Sequence, residues 1–287
     1  MTAVRASEPP LLDHRGDPTP SQARRERWAD LQDALHAEWT KMRTTPGAAC
    51  LALSTLVLTA GLSAAAAAAA SYTPGAAQDP TKISLTGIDL GQAIIAILAV
   101  VTISSEYSTR LIATTLTAVP RRITMLAAKA TLVTGVVLAA GTAAVLTSVL
   151  AGRLLLPGNG FTTAHGYALV SLGDEPTLRA AAGSVLYLAL IALLSLGIAC
   201  VVRDSATAIG VVLALLYLFP ILGQVVGNPG VARHIQQIGP MTAGLEIQAS
   251  TGLRNLPISP WAGLGVLAGW AAAALLAGGL LLRFRNA

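Results

Sequence analysis

The sequence predicts an all-α, polytopic membrane protein with six transmembrane helices. Hydrophobic residues make up 54% of the 287-residue chain and charged residues only 11%, and the mean hydropathy is +0.65. A soluble domain usually carries about a quarter charged residues. Here long apolar runs alternate with short polar stretches, and each run approaches or exceeds the ~20 residues that a helix needs to cross a bilayer.

The chain begins with two polar segments. Residues 1–20 contain four prolines and scattered charges, which predicts a disordered tail. In residues 21–45, apolar side chains recur at steps of three and four from Trp28 to Met42, opposite a charged face, which predicts an amphipathic helix lying in the headgroup plane. A partner-binding helix, or the core helix of a small soluble domain, is the alternative. The expected interfacial anchors are Trp28, Trp39, Lys41 and Arg43.

Six apolar runs follow within residues 46–287, the predicted transmembrane domain. Alanine side chains are small enough for close helix approach, so the run Ala64–Ala70 favours a helix–helix contact. The predicted spans are Pro46–Ala70, Ile83–Ser104, Ile123–Leu150, Leu178–Val202, Ala206–Val226 and Pro260–Leu282. Only Arg203–Ser205 separates spans four and five, which predicts antiparallel neighbours. The periodicity of the longer segment 227–259 predicts an outer loop, with two short helices dipping into the outer leaflet as the alternative.

The distribution of basic residues predicts the orientation. With the N-terminus inside, fourteen of the nineteen Lys and Arg residues fall on the inner side and five on the outer side, so we expect both termini in the cytoplasm. The net charge of +5 could suggest a nucleic-acid partner. The basic residues flank apolar runs instead of clustering on a polar domain, which favours membrane lipids and argues against nucleic acid.

One segment between spans two and three differs from both neighbours. In residues 105–122, charged and hydroxyl side chains accompany an apolar face formed by Ile112, Leu116 and Val119 at helical spacing. Pro120 disfavours a continuing helix at the residue before it, and two arginines follow. The pattern predicts a short amphipathic helix at the cytoplasmic surface.

This segment resembles a known family. Its pattern S-E-Y-S-T-x-x-I-x-x-T-L-x-A-V-P-R-R, followed by A-A-K-A at 127–130, is similar to the first cytoplasmic loop of type-2 ATP-binding-cassette (ABC) exporter permeases of actinobacteria. Residues 37–43 (A-E-W-T-K-M-R) and the stretch from Ser259 to Arg285 resemble the family's first-span entry and last span. The resemblance covers about residues 37–287, and it implies a short helical hairpin at 227–259. Arg110 departs from it, since glycine is expected there.

The resemblance implies a coupling helix that docks on a separately encoded ATPase. The expected partners are two ATPase subunits and a second copy of this chain or a homologous permease. ATP and Mg²⁺ would be held by the ATPase, with no cofactor or metal on this chain. Glu106 has two interpretations: a carboxylate stabilised by a helix dipole, or a residue that fixes the angle of the coupling helix. The expected coupling residues are Glu106, Tyr107, Arg110, Ile112, Leu116, Pro120, Arg121 and Arg122.

The sequence also limits the chemistry that the chain can perform. No G-x-x-x-x-G-K-[ST] phosphate loop occurs, which predicts that the chain is not itself an ATPase. Spans rich in small and apolar residues suit a lipophilic or amphipathic substrate, such as a drug, an antibiotic, a lipid or a hydrophobic peptide. Together with these observations, the resemblance implies an exporter subunit in a bacterial plasma membrane, of the kind that serves multidrug efflux and antibiotic resistance. The alternatives are an ATP-independent membrane carrier and a non-transporting scaffold or immunity protein.

Few ionisable residues fall inside the predicted spans. Asp89 lies about two turns into predicted span two, close to Gln92, and the pair is the candidate substrate path. The alternative is that Asp89 is an outer-surface residue and that the span begins later than Ile83. Lys129 lies about two turns inside span three, where its stem could extend toward the inner surface.

Overall fold

The computed structural model describes His36, Thr40 and residues 46–108 and 122–284. These residues form α-helices joined by short 3₁₀ turns and loops, and no β-strand occurs among them. In chain order the α-helices are α1 (Pro46–Ala69), α2 (Pro80–Ser84), α3 (Ile88–Ser108), α4 (Arg122–Leu155), α5 (Glu175–Val202), α6 (Ser205–Val225), α7 (Pro229–Ile238), α8 (Pro240–Leu245) and α9 (Pro260–Phe284).

Five helical segments are long and apolar enough to cross a membrane. They are Ala49–Ala69, Leu126–Asn159, Glu175–Val202, Ser205–Val225 and Pro260–Leu281. The shortest contain 21 residues, which at about 1.5 Å per residue matches a ~30 Å hydrocarbon core. The predicted class, an all-helical multi-pass membrane protein, is thereby confirmed. The apolar part of α3 described here, Ile88–Ile103, is shorter, so the predicted count of six spans depends on this helix.

The predicted start of span two is wrong. The apolar pattern predicts a start at Ile83, but residues 80–84 form the separate helix α2, and α3 begins at Ile88. Asp79 caps α2 and Pro80 occupies its first turn, so a helix starts here for local reasons. The chain then turns through Leu85–Gly87, where the backbone N–H of Gly87 donates to Ser63 Oγ of α1 (3.0 Å). Asp89 consequently lies in the first turn of α3.

Helix α5 lies at the centre of the bundle and contacts α3, α4, α6 and α9. Its packing on α9 depends on small residues. A Cβ atom at Gly197 would lie 2.5 Å from the backbone carbon of Ala274, and one at Gly278 would lie 2.8 Å from Cys200 Cβ. Without those carbons the two backbones approach closely, which is how helices associate where lipid offers no hydrophobic driving force.

The turn between α5 and α6 matches its prediction. Helix α5 ends at Val202 and α6 begins at Ser205. Arg203 adopts a left-handed conformation (φ 63°) that ends α5, and the Asp204 carboxylate accepts from the Thr207 backbone N–H (2.8 Å) and hydroxyl (2.6 Å). These two hydrogen bonds lower the pKa of Asp204. The tight reversal places α5 and α6 side by side.

The two ends of the bundle differ in composition. At one end, the first turns of α4 meet the last turns of α5 and α9, with Lys129 and Arg203 close to Cys200; we call it the inner end, after the orientation that the charges predict. At the opposite end, the loops after α1, α4 and α8 meet. There Asn159 Nδ2 donates to the carbonyl of Ala67 (2.8 Å) and Arg179 Nη2 to the carbonyl of Ala249 (2.6 Å). We call this the outer end.

The segment 227–259 contains α7 and α8, followed by two 3₁₀ turns. Asn228 caps α7 by accepting from the backbone N–H groups of Gly230 and Val231. Trp270 Nε1 of α9 donates to the carbonyl of Ile238 at the end of α7 (2.9 Å). The segment therefore combines a pair of short helices with a loop, and it packs against the outer half of α9.

Candidate functional site

The two polar residues proposed for a substrate path occupy different environments. Asp89 is half-buried at the start of α3, whereas Gln92, one turn later, is fully buried. An uncompensated amide at such a position costs free energy. The surroundings of Gln92 show how this cost is met.

Gln92 is the centre of a buried polar cluster contributed by four helices. Its Oε1 accepts from the hydroxyl of Tyr187 on α5. Its Nε2 lies 3.1 Å from Met241 Sδ on α8 and 3.5 Å from the hydroxyl of Tyr217 on α6. The Tyr217 hydroxyl donates in turn to the backbone carbonyl of Asp89 (2.6 Å). We refer to Gln92, Tyr187, Tyr217 and Met241 as the Gln92 cluster.

Close packing of the Tyr187 ring supports this arrangement. The side chain of Tyr187 has no exposed surface. A Cβ atom at Gly244, in α8, would lie 2.7 Å from Cε2 of the ring. The glycine therefore lets α8 approach the ring, so that Met241 of the same helix reaches Gln92.

The Gln92 cluster is neutral; Gln92 and Tyr187 are enclosed by protein, whereas Tyr217 is half-buried. Its hydrogen bonds join α3 to α5 and α6, and the thioether contact adds α8. In this conformation Gln92 lies on no open path, and its role in substrate passage remains a prediction. Sequence reasoning missed Tyr187, Tyr217 and Met241, although a tyrosine in the middle of an otherwise apolar span indicates a hydroxyl that needs a partner.

A second set of polar groups lies toward the outer end, beside α8. Lys82 of α2 interacts electrostatically with both Asp89 and Glu246. Burial raises the pKa of Glu246 above its ordinary value, and the nearby ammonium group of Lys82 offsets part of that rise. The Oε2 atom of Glu246 is buried and accepts no hydrogen bond from the described residues. This carboxylate is therefore costly to keep charged.

At the inner end, Lys129 is completely buried within α4. Its Nζ donates to the carbonyl of Thr102 on α3 (3.5 Å), and it interacts electrostatically with Cys200 on α5. The side chain points into the bundle, whereas the sequence predicts that its stem extends toward the inner surface. It joins α3, α4 and α5 near the point where the chain leaves α3 for α4.

The predicted coupling residues and interfacial anchors fall largely outside the described part of the chain. The backbone of Glu106 and Tyr107 belongs to the last turn of α3, and Arg122 is the first residue of α4. Arg110, Ile112, Leu116, Pro120 and Arg121 lie outside the described residues, as do Trp28, Trp39, Lys41 and Arg43. Within residues 21–45, His36 and Thr40 are helical, and the Thr40 hydroxyl donates to the His36 carbonyl (2.9 Å).

Within residues 46–108 and 122–284, no group of three or more His, Cys, Asp or Glu side chains comes close enough to hold a metal ion. No protein-family model and no curated protein matches the chain. The fold itself defines the class: the described residues form a helical, multi-pass membrane protein.

Proposed function

We propose that this chain is the membrane-spanning subunit of an ATP-driven exporter of the ABC type. In this proposal α3 is the sixth span, and residues 105–122 form the coupling helix that contacts a separate ATPase subunit. Two ATPase subunits and a second permease copy complete the transporter. ATP and Mg²⁺ bind the ATPase, and both termini of this chain lie in the cytoplasm of a bacterial cell.

The observation that carries the proposal is the position of the coupling sequence. The last turn of α3 ends at Ser108 and α4 starts at Arg122, so residues 109–121 connect two long helices at the inner end. Both helices contact α5, the central helix. A rigid segment held between them can pass the movement of a docked ATPase to the bundle.

The composition of the bundle supports the proposed substrate class. Among the described residues that lie well inside the long helices, the buried polar groups are mostly hydroxyls and amides, and Lys129 is the buried charge. Proton-coupled carriers usually need a relay of buried carboxylates or histidines. Apolar helices with few charges suit a lipophilic or amphipathic substrate that is moved by an external energy source.

Co-purification of an ATPase tests the proposal. The chain is isolated from membranes of the cells that naturally produce it, either as wild type or with Glu106, Ile112 and Leu116 all replaced by Ala. We expect a nucleotide-hydrolysing subunit to copurify with the wild type and to be lost from the folded triple variant. The matched control replaces the same residue types at exposed positions in the outer half of the bundle, Glu175, Ile238 and Leu253, and should retain the ATPase.

Two outcomes contradict the proposal. If no ATPase associates with the wild-type chain, the exporter assignment fails, and ion-coupled carriage or a scaffold role replaces it. If the coupling variant and the outer-half control both keep the ATPase, residues 105–122 are not the docking element.

A further inference from the structure

A single carboxylate at the outer end joins two segments that are far apart in sequence. Oδ2 of Asp79 accepts from the backbone N–H groups of Ser250 (2.6 Å) and Thr251 (3.0 Å). Oδ1 accepts from the Ser250 hydroxyl (2.6 Å), and also from the backbone N–H groups of Thr81 (3.0 Å) and Lys82 (3.2 Å) at the start of α2. One side chain therefore caps α2 and also holds the loop between α8 and α9. We refer to the contact between Asp79 and Ser250–Thr251 as the outer latch.

The outer latch connects two separately anchored parts of the bundle. On one side, α2 packs on α4, where a Cβ atom at Gly152 would lie 1.9 Å from Ser84 Oγ. On the other side, the loop after α8 is held to α5 by the hydrogen bond from Arg179 to Ala249 (2.6 Å). Near the latch, the pair Thr81 and Thr177 adds a further hydrogen bond between the two sides (3.3 Å). Most of the direct polar attachment here thus depends on Asp79.

The surroundings of the latch are partly open. A cleft of about 430 Å³ opens beside it and is lined in part by Thr81, Thr177, Ser250 and Thr251. Asp79 and Ser250 are half-buried. Because water can enter such a cleft, water molecules can replace the Asp79 carboxylate and the N–H groups as hydrogen-bond partners at modest cost. A hydrogen bond enclosed in apolar protein has no such replacement.

We infer that Asp79 sets the equilibrium between a closed outer end, which the structure shows, and an open one in which the loop after α8 separates from α2. The closed state has five hydrogen bonds to one carboxylate. In the open state the same carboxylate keeps its two bonds to the start of α2 and exchanges the other three for water. The inference concerns this chain alone and goes beyond ATP-driven transport, so it can succeed or fail independently of the proposed function.

The substitution Asp79→Asn tests the inference selectively. An asparagine retains one side-chain oxygen that can cap α2. Its amide NH₂ would face the N–H groups of Ser250 and Thr251. Hydrogen-bond donors would then face each other across the latch, and no hydrogen bond could form between them. The matched control is Asp174→Asn: Asp174 is an exposed aspartate that precedes α5 at the same end, and its side chain makes no capping hydrogen bond.

The measurement is a distance distribution between spin labels on the full-length chain in lipid nanodiscs. Labels are placed at Ala76→Cys and Leu253→Cys, two exposed sites on either side of the latch. The exposed native cysteine is removed as Cys50→Ser, while buried Cys200 is shielded from the label. In the wild-type background we expect one short distance between the labels. In Asp79→Asn we expect the fraction of molecules with a longer distance to rise roughly tenfold or more over wild type, since hydrogen bonds to a charged group are lost.

A weaker variant, Ser250→Ala, removes the hydroxyl bond but keeps both backbone donors, and it should give a smaller open population. If Asp79→Asn does not fold, Ser250→Ala tests by itself whether the latch controls the open population. The inference is overturned if the folded latch variants keep the wild-type distribution, or if Asp174→Asn produces the same longer distance as Asp79→Asn.

Discussion

The Gln92 cluster and the outer latch both join distant helices through polar side chains, but they use different chemistry. The cluster is neutral, made of an amide, two phenols and a thioether, and Gln92 and Tyr187 in it have no exposed surface. The latch uses a carboxylate next to an open cleft. The cost of burying a charge explains the difference, because an amide can be satisfied by two or three hydrogen bonds whereas a carboxylate needs more donors or water.

The comparison indicates a division of roles along the bundle. A polar contact enclosed by protein has no water to replace it, so breaking it leaves unsatisfied groups and costs the most. A contact at the rim can be exchanged for water. We therefore expect the Gln92 cluster to fix the relative positions of α3, α5, α6 and α8, and the outer end to be the part that moves.

The largest effect is expected from Gln92→Leu. This change leaves the fully buried hydroxyl of Tyr187 without its acceptor, and we expect a loss of about 1–3 kcal/mol in the free energy of unfolding. Denaturant or thermal unfolding in detergent measures it. The control is Gln224→Leu, the same change at an exposed position of α6, which should stay within about 0.5 kcal/mol of wild type. Equal losses at both sites would remove the distinction between a structural cluster and the rest of the bundle.

The two tyrosines of the Gln92 cluster sharpen the comparison. Tyr187→Phe leaves Gln92 Oε1 buried without its donor, with an expected loss of about 1–3 kcal/mol. Tyr217 is only half-buried, and its hydroxyl donates to a backbone carbonyl near the start of α3, so Tyr217→Phe should cost closer to ~0.6 kcal/mol, a typical value for a hydrogen bond between membrane helices. Unfolding of the two variants in the same detergent compares them. The reverse order of losses would place the main polar contact at Tyr217.

The smallest effect concerns Glu246, which lies between the two regions. Because burial raises its pKa, folding favours the protonated carboxyl. Its contribution to stability is present below the ordinary glutamate pKa and is lost as the pH rises through the raised folded value. The uncharged isostere Glu246→Gln should therefore stabilise the protein slightly at pH 7. The gain should shrink as the pH falls through the raised folded pKa and should be gone below about 4.3, the ordinary glutamate value.

Unfolding temperatures recorded across this pH range test the expectation. Glu175→Gln, at an exposed position of the same end, serves as the control. A loss of stability in Glu246→Gln at pH 7 would show instead that attraction to Lys82 outweighs the cost of burial.

The wrongly predicted start of span two shows where average hydropathy stops being informative. Apolar residues recur from Ile83 to Ile103 with polar residues such as Asp89 and Gln92 between them, and the average hydropathy of the stretch predicts one helix. The signals for two helices were nevertheless present: an N-capping aspartate followed by proline at 79–80, and a glycine at 87. Hydropathy outweighed these signals because an 18–20-residue average hides a break of three residues.

The sequence by itself determined the all-helical class, the long apolar helices and the short turn after α5, because each follows from hydrophobic length and local residue preferences. The coupling segment remains a prediction from resemblance. Only the tertiary structure decided that Gln92 meets Tyr187 and Tyr217, and that Asp79 meets Ser250 across 171 positions. The spacing of apolar residues along one helix does not specify which helices become its neighbours. That choice depends on the small residues that let particular backbones approach, and the polar side chains then find their partners within the resulting packing.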